Sequence, residues 1–240
     1  RLCIGAATTG SYGYLHFGGG LQGQTILGAQ SAHLAAGIGQ TLQAGDTLPL
    51  GPDPHVLTGQ KIDTDARFDG GTVRIVPSLQ TEFFAPAEIS RFEATTFTRD
   101  TRGNRMGVRI LPDGCGFKTS AGLSVLSEII VSGDVQVTGD GTPFVLLSEC
   151  QTTGGYPRIG SVLPMDLPRV AQARAGATLR FQFVTLAEAV AAERREAGRR
   201  KGLRGSVHPM IRNPHDIGDL LSYQLISGAT AGDDLERDPP

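Results

Sequence analysis

The chain has 240 residues, and its 22 basic and 24 acidic side chains give a net charge of −2. A protein that binds a phosphate backbone needs a concentrated positive face, so this charge and the lack of a long basic run argue against a nucleic-acid partner. No apolar run approaches the ~20 residues of a membrane span, so no membrane partner is expected.

Short strands separated by turns are the main elements that the sequence predicts. The 33 glycines and 14 prolines make up about a fifth of the chain, against roughly 12% in average proteins. Apolar runs cut by glycines or alternating segments predict strands within 13–27, 41–50, 72–77, 105–111, 129–137, 143–148, 158–163 and 178–184. This spacing is typical of a β-barrel or sandwich, and a closed barrel would leave no exposed strand edges.

Two helices interrupt this pattern. Residues 86–94 follow a proline suited to a first helical turn, and their apolar residues are spaced three apart. Residues 185–201 form the clearest helix, because Thr185 and Glu188 have the spacing of a capping box. The basic residues at its end suit the negative end of the helix dipole.

An internal similarity suggests two related β units. Residues 44–50 read AGDTLPL and residues 175–181 read AGATLRF, each as a turn that enters a strand. We therefore predict tandem β units, of which the first is incomplete.

The richest candidate site is the loop 149–158, where hydroxyl and amide side chains precede two glycines. Glycines allow close backbone approach or positive φ, and exposed backbone N–H groups in such a turn can bind an anion. The glutamine and threonine side chains would supply directional hydrogen bonds, and the tyrosine ring would supply a flat apolar wall. The candidate residues are Gln151, Thr152, Thr153, Gly154, Gly155, Tyr156 and Pro157. An ordinary hairpin turn explains the same residues equally well.

Two further clusters carry charge. Arg105 and Arg109 lie four residues apart, so on one strand they would share a face and could clamp a carboxylate or phosphate. A solvated strand face is the alternative. Glu128 is a candidate acid or base, whereas the Gly139-Asp140-Gly141 segment is typical of a simple hairpin. The central prediction is that the glycine pair and the arginines fold beside each other around one hollow that favours anions.

Familiar catalytic and metal-binding patterns do not occur in the sequence. It contains no GxxxxGK[ST], HExxH or GxSxG motif. The histidines and cysteines lack zinc-ligand spacing, so no metal is predicted, and Cys150 is interpreted as a small buried residue. Three cysteines without CxxC spacing favour a reducing compartment, and a cytoplasmic location is expected.

A series of ordered motifs resembles the biotin-dependent carboxyltransferase family, also called allophanate hydrolase subunit 2. The motifs are GNRMGVR (103–109), SE (127–128), VQVTGDGTPFVLL (135–147), QTTGGYP (151–157) and DLPRVAQ (166–172). That family includes the C subunit of 5-oxoprolinase and part of urea carboxylase. The resemblance implies a mostly β chain with a cyclophilin-like β-barrel, preceded by a related β domain. We accordingly assign 1–65 to the remainder of an N-terminal β domain, 66–185 to the barrel, and 186–240 to a C-terminal helix and tail.

The resemblance also implies a site and partners. Substrate would contact Arg105, Met106, Gln136 and residues 151–157, with Glu128 as the catalytic residue. Such a pocket suits a small amide or lactam that carries a carboxylate. Members work with a subunit-1-type partner protein, and the 5-oxoprolinase branch also needs a third catalytic subunit.

Three functions stay open at this point. The first is a subunit of an ATP-dependent amide-ring-opening hydrolase of the 5-oxoprolinase type, with ATP bound through the complex. The second is a carboxyltransferase that moves carboxylate from carboxybiotin to urea or a related amide. The third is a non-catalytic, partner-binding regulatory barrel. It is motivated by departures from the family pattern within 129–138 and by Cys150, which stands where the family has an arginine.

Overall fold

The protein is described here from a computed structural model that covers residues 3–7, 9–55, 58–121 and 125–210. The strands are β1 (Gln60–Lys61), β2 (Gly71–Val76), β3 (Phe97–Asn104), β4 (Gly107–Pro112), β5 (Glu128–Ile129), β6 (Asp134–Val137), β7 (Pro143–Leu146), β8 (Thr153–Gly154), β9 (Arg158–Val162), β10 (Thr178–Phe183) and β11 (His208–Pro209). The α-helices are α1 (Pro86–Ala94), α2 (Leu167–Gln172) and α3 (Leu186–Gly202). The predicted tail beyond residue 210 lies outside the described residues.

Seven strands close into a barrel in the order β10-β2-β9-β6-β7-β4-β3, and β3 pairs back with β10. The β10–β2 pair is parallel, whereas the other pairs are antiparallel. Two small two-stranded sheets, β1–β11 and β5–β8, lie outside the barrel. The predicted fold class, a mostly β chain with a closed barrel and a C-terminal helix, is confirmed.

Alternating residues of the barrel strands fill its interior. Val73 and Ile75 of β2, and Val108 and Ile110 of β4, are fully buried, as the two-residue period of a strand requires. Helix α1 adds Phe92 to this core. Its ring lies 5.0–5.2 Å, centroid to centroid, from the rings of Phe97, Phe117 and Phe181. Four aromatic rings from the helix, two strands and a loop therefore form one cluster.

The predicted helices 86–94 and 185–201 match α1 and α3 closely. At the start of α3, the Thr185 hydroxyl accepts a hydrogen bond from the Glu188 backbone N–H at 3.2 Å. The Glu188 carboxylate accepts one from the Thr185 backbone N–H at 2.8 Å. The predicted capping box is thus confirmed.

The basic end of α3 has a specific partner in addition to the helix dipole. The buried carboxylate of Glu196 lies 2.7 Å from Nε of Arg199 and 2.8 Å from Nε of Arg200. These hydrogen bonds, from Arg199 first, outweigh the effect of burial and lower the pKa of Glu196 to about 2.

The N-terminal strands predicted within 13–27 and 41–50 are wrong. That part of the chain contains isolated bridges, such as Leu21 with Leu50, and no continuous strand. Its apolar side chains lack a sheet to pack against, and Leu42 is 59% exposed. The internal similarity is therefore not a structural repeat: residues 178–181 belong to barrel strand β10, whereas Leu50 forms a lone bridge. The boundaries assigned at 65/66 and 185/186 stay predictions.

The described parts of the chain contain neither a membrane-spanning helix nor a cluster of metal ligands. None of the helices seen between residues 3 and 210 has the length and apolarity needed to cross a membrane. Across the same described ranges, no three His, Cys, Asp or Glu side chains are grouped as metal ligands.

Phe92→Ala is expected to lower the free energy of unfolding by about 3–5 kcal/mol, because it empties the centre of the aromatic cluster. Urea denaturation followed by circular dichroism measures this change. Leu79→Ala is the control, since that side chain is 88% exposed and its loss should change little. Equal effects of the two substitutions would contradict the described core.

The Glu196 ion pairs predict a pH dependence of stability. The folded-state pKa lies near 2, below the ordinary value of 4.5, so the carboxylate stabilises the fold above about pH 4.5 and loses this effect as pH falls towards 2. The difference in unfolding free energy between wild type and Glu196→Gln should therefore shrink between pH 7 and pH 3. The exposed Glu82→Gln is the control. A difference that stays constant over this range would refute the ion-pair assignment.

Candidate functional site

The β3–β4 hairpin carries the motif GNRMGVR, and its turn separates the two arginines. Arg105 and Met106 form the turn, where the Asn104 side-chain oxygen accepts a hydrogen bond from the Met106 backbone N–H at 2.8 Å. The expectation that Arg105 and Arg109 share a face of one strand is therefore wrong, because this turn splits the predicted strand 105–111. Arg105 instead forms an ion pair with Glu149 at 2.9 Å.

Arg109 lies on β4 and is held by polar partners on both sides. Its guanidinium is 3.3 Å from Asp100, 3.3 Å from Asp140 and 3.2 Å from the Thr142 hydroxyl. Burial raises the pKa of Asp100, but hydrogen bonds from the Arg102 backbone and side chain outweigh it and lower the pKa overall. Arg109 is thus a fixed part of the barrel wall whose charge is already balanced by two carboxylates.

The strand register places Arg109 in an outward-facing row. Val108, Val145 and Val135 are paired across β4, β7 and β6 and are fully buried inside the barrel. Since side chains alternate along a strand, the residues adjacent to these valines, Arg109, Phe144 and Gln136, form a row on the outer wall.

A cavity of about 420 Å³ lies over this row. Arg102, Asn104 and Met106 of the hairpin line it together with the outward row, and Cys150 and Gln151 line it from the following loop. The hairpin motif and the start of the glycine-containing loop are therefore neighbours. The glycine pair and Arg105 do not line this cavity, so the central prediction of one hollow shared by both glycines and both arginines stays a prediction. The volume falls within the ~300–1,000 Å³ typical of small-molecule pockets.

The glycine pair permits the loop to lie close to the barrel. A Cβ atom at Gly154 would lie 2.6 Å from Nε2 of Gln136 and 3.0 Å from Cδ1 of Ile130. Neither Gly154 nor Gly155 has positive φ. The Gly155 carbonyl accepts a hydrogen bond from the Val125 backbone N–H, and β8 pairs with β5. The described contacts of these glycines are therefore contacts within the fold.

The remaining loop candidates lie outside the lining of this cavity. Thr152 and Thr153 are exposed, Tyr156 is 45% exposed, and Pro157 is buried with its carbonyl accepting from the Val137 backbone N–H. Of the residues predicted to contact substrate, Met106, Gln136 and Gln151 line the cavity.

Glu128 lies on β5 beside Arg158 and away from the cavity lining. Its carboxylate accepts from Nη2 of Arg158 at 2.6 Å and from Nε2 of Gln80 at 2.8 Å. Arg158 also donates to the buried Asp134 at 3.2 Å. In this geometry Glu128 helps to hold β5 against β9, and its assignment as a catalytic residue stays a prediction.

Several cavity residues carry no signal in the sequence. Arg102 belongs to no distinguishing pattern, and Phe144 belongs only to the motif 135–147, which gives it no role in the site. The fold brings both to the lining of this cavity. Cys150 is conspicuous in the sequence but has no predicted role there. Burial, and then the charge of Asp134, raise the pKa of its thiol, which favours the protonated form. The side chain is half-buried, where the sequence predicted a buried residue.

The fold and the cavity define a closed β-barrel with a small-molecule-sized pocket on its outer wall. Residues 1–183 match the family described as "Carboxyltransferase domain, subdomain A and B". The chain therefore belongs to this carboxyltransferase family, and the resemblance seen in the motifs is confirmed.

Individual relatives agree with this membership. The chain is 34% identical over 198 residues to the 5-oxoprolinase C subunit of Haemophilus influenzae, covering 81% of this chain and 63% of that protein. It is 32% identical over 199 residues to the 5-oxoprolinase C subunit of Escherichia coli strain K12, covering 80% and 62%. The chain thus spans less than two thirds of the length of these curated relatives.

A solved structure shares the fold. The crystal structure of the Kluyveromyces lactis urea carboxylase matches with a TM-score of 0.64 at 20% identity, covering 86% of this chain and 21% of that one. At this identity the match speaks for the fold alone.

Gly154→Ala is expected to destabilise the protein by about 1–3 kcal/mol, because the added methyl group overlaps buried Gln136 and Ile130. Thermal or urea unfolding measures the change. Gly198→Ala on α3 is the matched control: its Cβ meets no atom within 4 Å, and it should stabilise the helix by about 0.5–1 kcal/mol. A neutral Gly154→Ala would contradict the close approach of loop and barrel.

Proposed function

We propose that this chain is one subunit of a 5-oxoprolinase-type enzyme system and supplies its pocket for a small amide. The names of the two relatives, at 34% and 32% identity, support the system. The observation that carries the pocket is the shared cavity, because hairpin and loop motifs from distant parts of the sequence line it together. The subunit-1-type partner and the third catalytic subunit belong to the same proposal.

The cavity chemistry suits an amide that bears a carboxylate. Gln136 and Gln151 carry side-chain amides that can both donate and accept hydrogen bonds, as an amide ligand requires. Phe144, Leu146 and Met106 supply apolar walls for a ring. Arg102 supplies the charge, since its side chain is 70% exposed and its carboxylate partner, Asp100, is shared with Arg109.

ATP is assigned to another subunit of the complex. The sequence contains no GxxxxGK[ST] phosphate-binding loop, and the positive charge of Arg109 is already balanced by Asp100 and Asp140. In this proposal the chain binds and orients the amide, while a partner activates it with ATP.

A carboxyltransferase is the second candidate, and the family description favours it. In that case the same cavity would accept urea or a related amide, and carboxybiotin would arrive on a partner protein. The third candidate, a regulatory barrel, predicts binding to partners without any effect of cavity substitutions on turnover.

The test is reconstitution. The chain is co-expressed with a subunit-1-type partner and the third subunit, and ATP-dependent release of glutamate from 5-oxoproline is measured. The proposal predicts turnover that is lost when this chain is left out. A folded, assembled complex without turnover would contradict it, and transfer of carboxylate from carboxybiotin to urea would establish the second candidate.

Arg102→Gln should reduce kcat/KM of the reconstituted complex about 10- to 100-fold, because it removes a charge-assisted hydrogen bond worth about 1.5–3 kcal/mol. Arg180→Gln is the matched control, since Arg180 is an exposed arginine of β10 outside the cavity lining. Unchanged kinetics in a folded Arg102→Gln complex would remove Arg102 from the substrate site.

A further inference from the structure

A second cavity, of about 620 Å³, lies on the other side of the β3–β4 hairpin. Its lining includes Arg99, Thr101 and Gly103 of β3, the Arg105–Glu149 ion pair, and Tyr12 of the N-terminal segment. The N-terminal segment is attached to the end of helix α2, because the backbone N–H groups of Ser11 and Tyr12 both donate to Oε1 of Gln172 at 2.9 Å. This cavity is therefore bounded on one side by a fixed segment.

Arg99 is unusual because the strand register directs it towards the barrel interior. It pairs with Ile110 and shares its strand face with Phe97, and both of these side chains are fully buried. The next residue, Asp100, lies on the outer face with Arg109. The pairing of β3 with β4 shifts register between Arg99 and Gly103, and such irregularities occur often beside binding sites.

The guanidinium of Arg99 is buried without a counter-charge in the described residues. The residue is 8% exposed, and the one hydrogen bond that its guanidinium makes within the described ranges runs from Nη1 to the Asp100 carbonyl at 2.9 Å. Its Nε is buried and has no acceptor there. A Cβ atom at Gly103 would lie 3.1 Å from Nη2, so the glycine leaves room for the guanidinium. A buried cation without a partner is costly, which favours binding of an anion.

The charges around the cavity define which anion fits. Arg99 and Arg105 are positive and Glu149 is negative, so the ionisable lining groups leave one positive charge. A single carboxylate balances that charge, and its two oxygens match the planar fork of a guanidinium. Tyr12, Leu34 and Met106 add apolar surface for the rest of the ligand.

We propose that Arg99 anchors a second binding site, which takes a small organic carboxylate in this cavity between the β3–β4 hairpin and the N-terminal segment. This site is distinct from the amide pocket of the outer wall, although Gly103, Asn104 and Met106 line both cavities, and it goes beyond the proposed function. Its test needs neither ATP nor partner subunits, so its failure and the failure of the amide-pocket proposal can be told apart.

The test is a titration of the ¹⁵N-labelled full chain with sodium butyrate at constant ionic strength. We expect saturable shifts of the Thr101 and Tyr12 amide resonances, with the Arg180 amide unmoved. Arg99→Gln should weaken binding at least 10-fold, whereas the control Arg180→Gln should bind as the wild type does. Circular dichroism establishes that each variant is folded.

Several results would overturn the proposal. They are shifts that do not saturate, equal affinity in a folded Arg99→Gln variant, or shifts confined to Gln151 in the outer-wall cavity. Saturable binding of phosphate without binding of butyrate would also refute it, since the site is assigned to carboxylates. If Arg99→Gln does not fold, the wild-type titration still decides, because Thr101 and Tyr12, which line only the second of the two cavities, must respond to butyrate.

Discussion

The register of the closed barrel is the constraint on which the rest of the structure depends. Pairing Val145 with Val108 on one side and with Val135 on the other fills the interior and therefore forces Arg109, Phe144 and Gln136 to the outer wall. A slip of one residue would exchange these rows and bury an arginine and a glutamine in the core. The position of the candidate pocket thus follows from the same pairing that builds the hydrophobic core.

The pocket forms because two further segments are held against that wall. Asn104 closes the hairpin turn, and the Arg105–Glu149 ion pair ties the hairpin to the loop that follows β7. Gly154 lets β8 approach Gln136, while Arg158 links Glu128 and Asp134. Many charged residues of the conspicuous motifs therefore hold strands and loops in place. In the cavity, Arg102 and the amide side chains remain available to bind a ligand.

The sequence predicted six of the seven barrel strands because alternation and glycine turns are local signals, but it missed β3, whose residues FTRDTRGN are mostly polar and show no apolar alternation. It failed in residues 13–50, where apolar runs form strands only if a neighbouring sheet receives them. The family resemblance of the motifs predicted that the hairpin and the loop lie close together. The sequence could not place Arg109, because the turn at Arg105 splits the predicted strand, or Arg99, because burial of an arginine depends on strand pairing. Contacts between distant segments set both positions.

Hydrogen–deuterium exchange with and without 5-oxoproline tests most directly whether hairpin and loop form one pocket. The account predicts added protection in both segments, around residues 102–109 and 149–151, with the buried core strand β2 unchanged. Protection of one segment alone, or of neither at saturating ligand, would contradict a shared amide-binding pocket on the outer wall of the barrel.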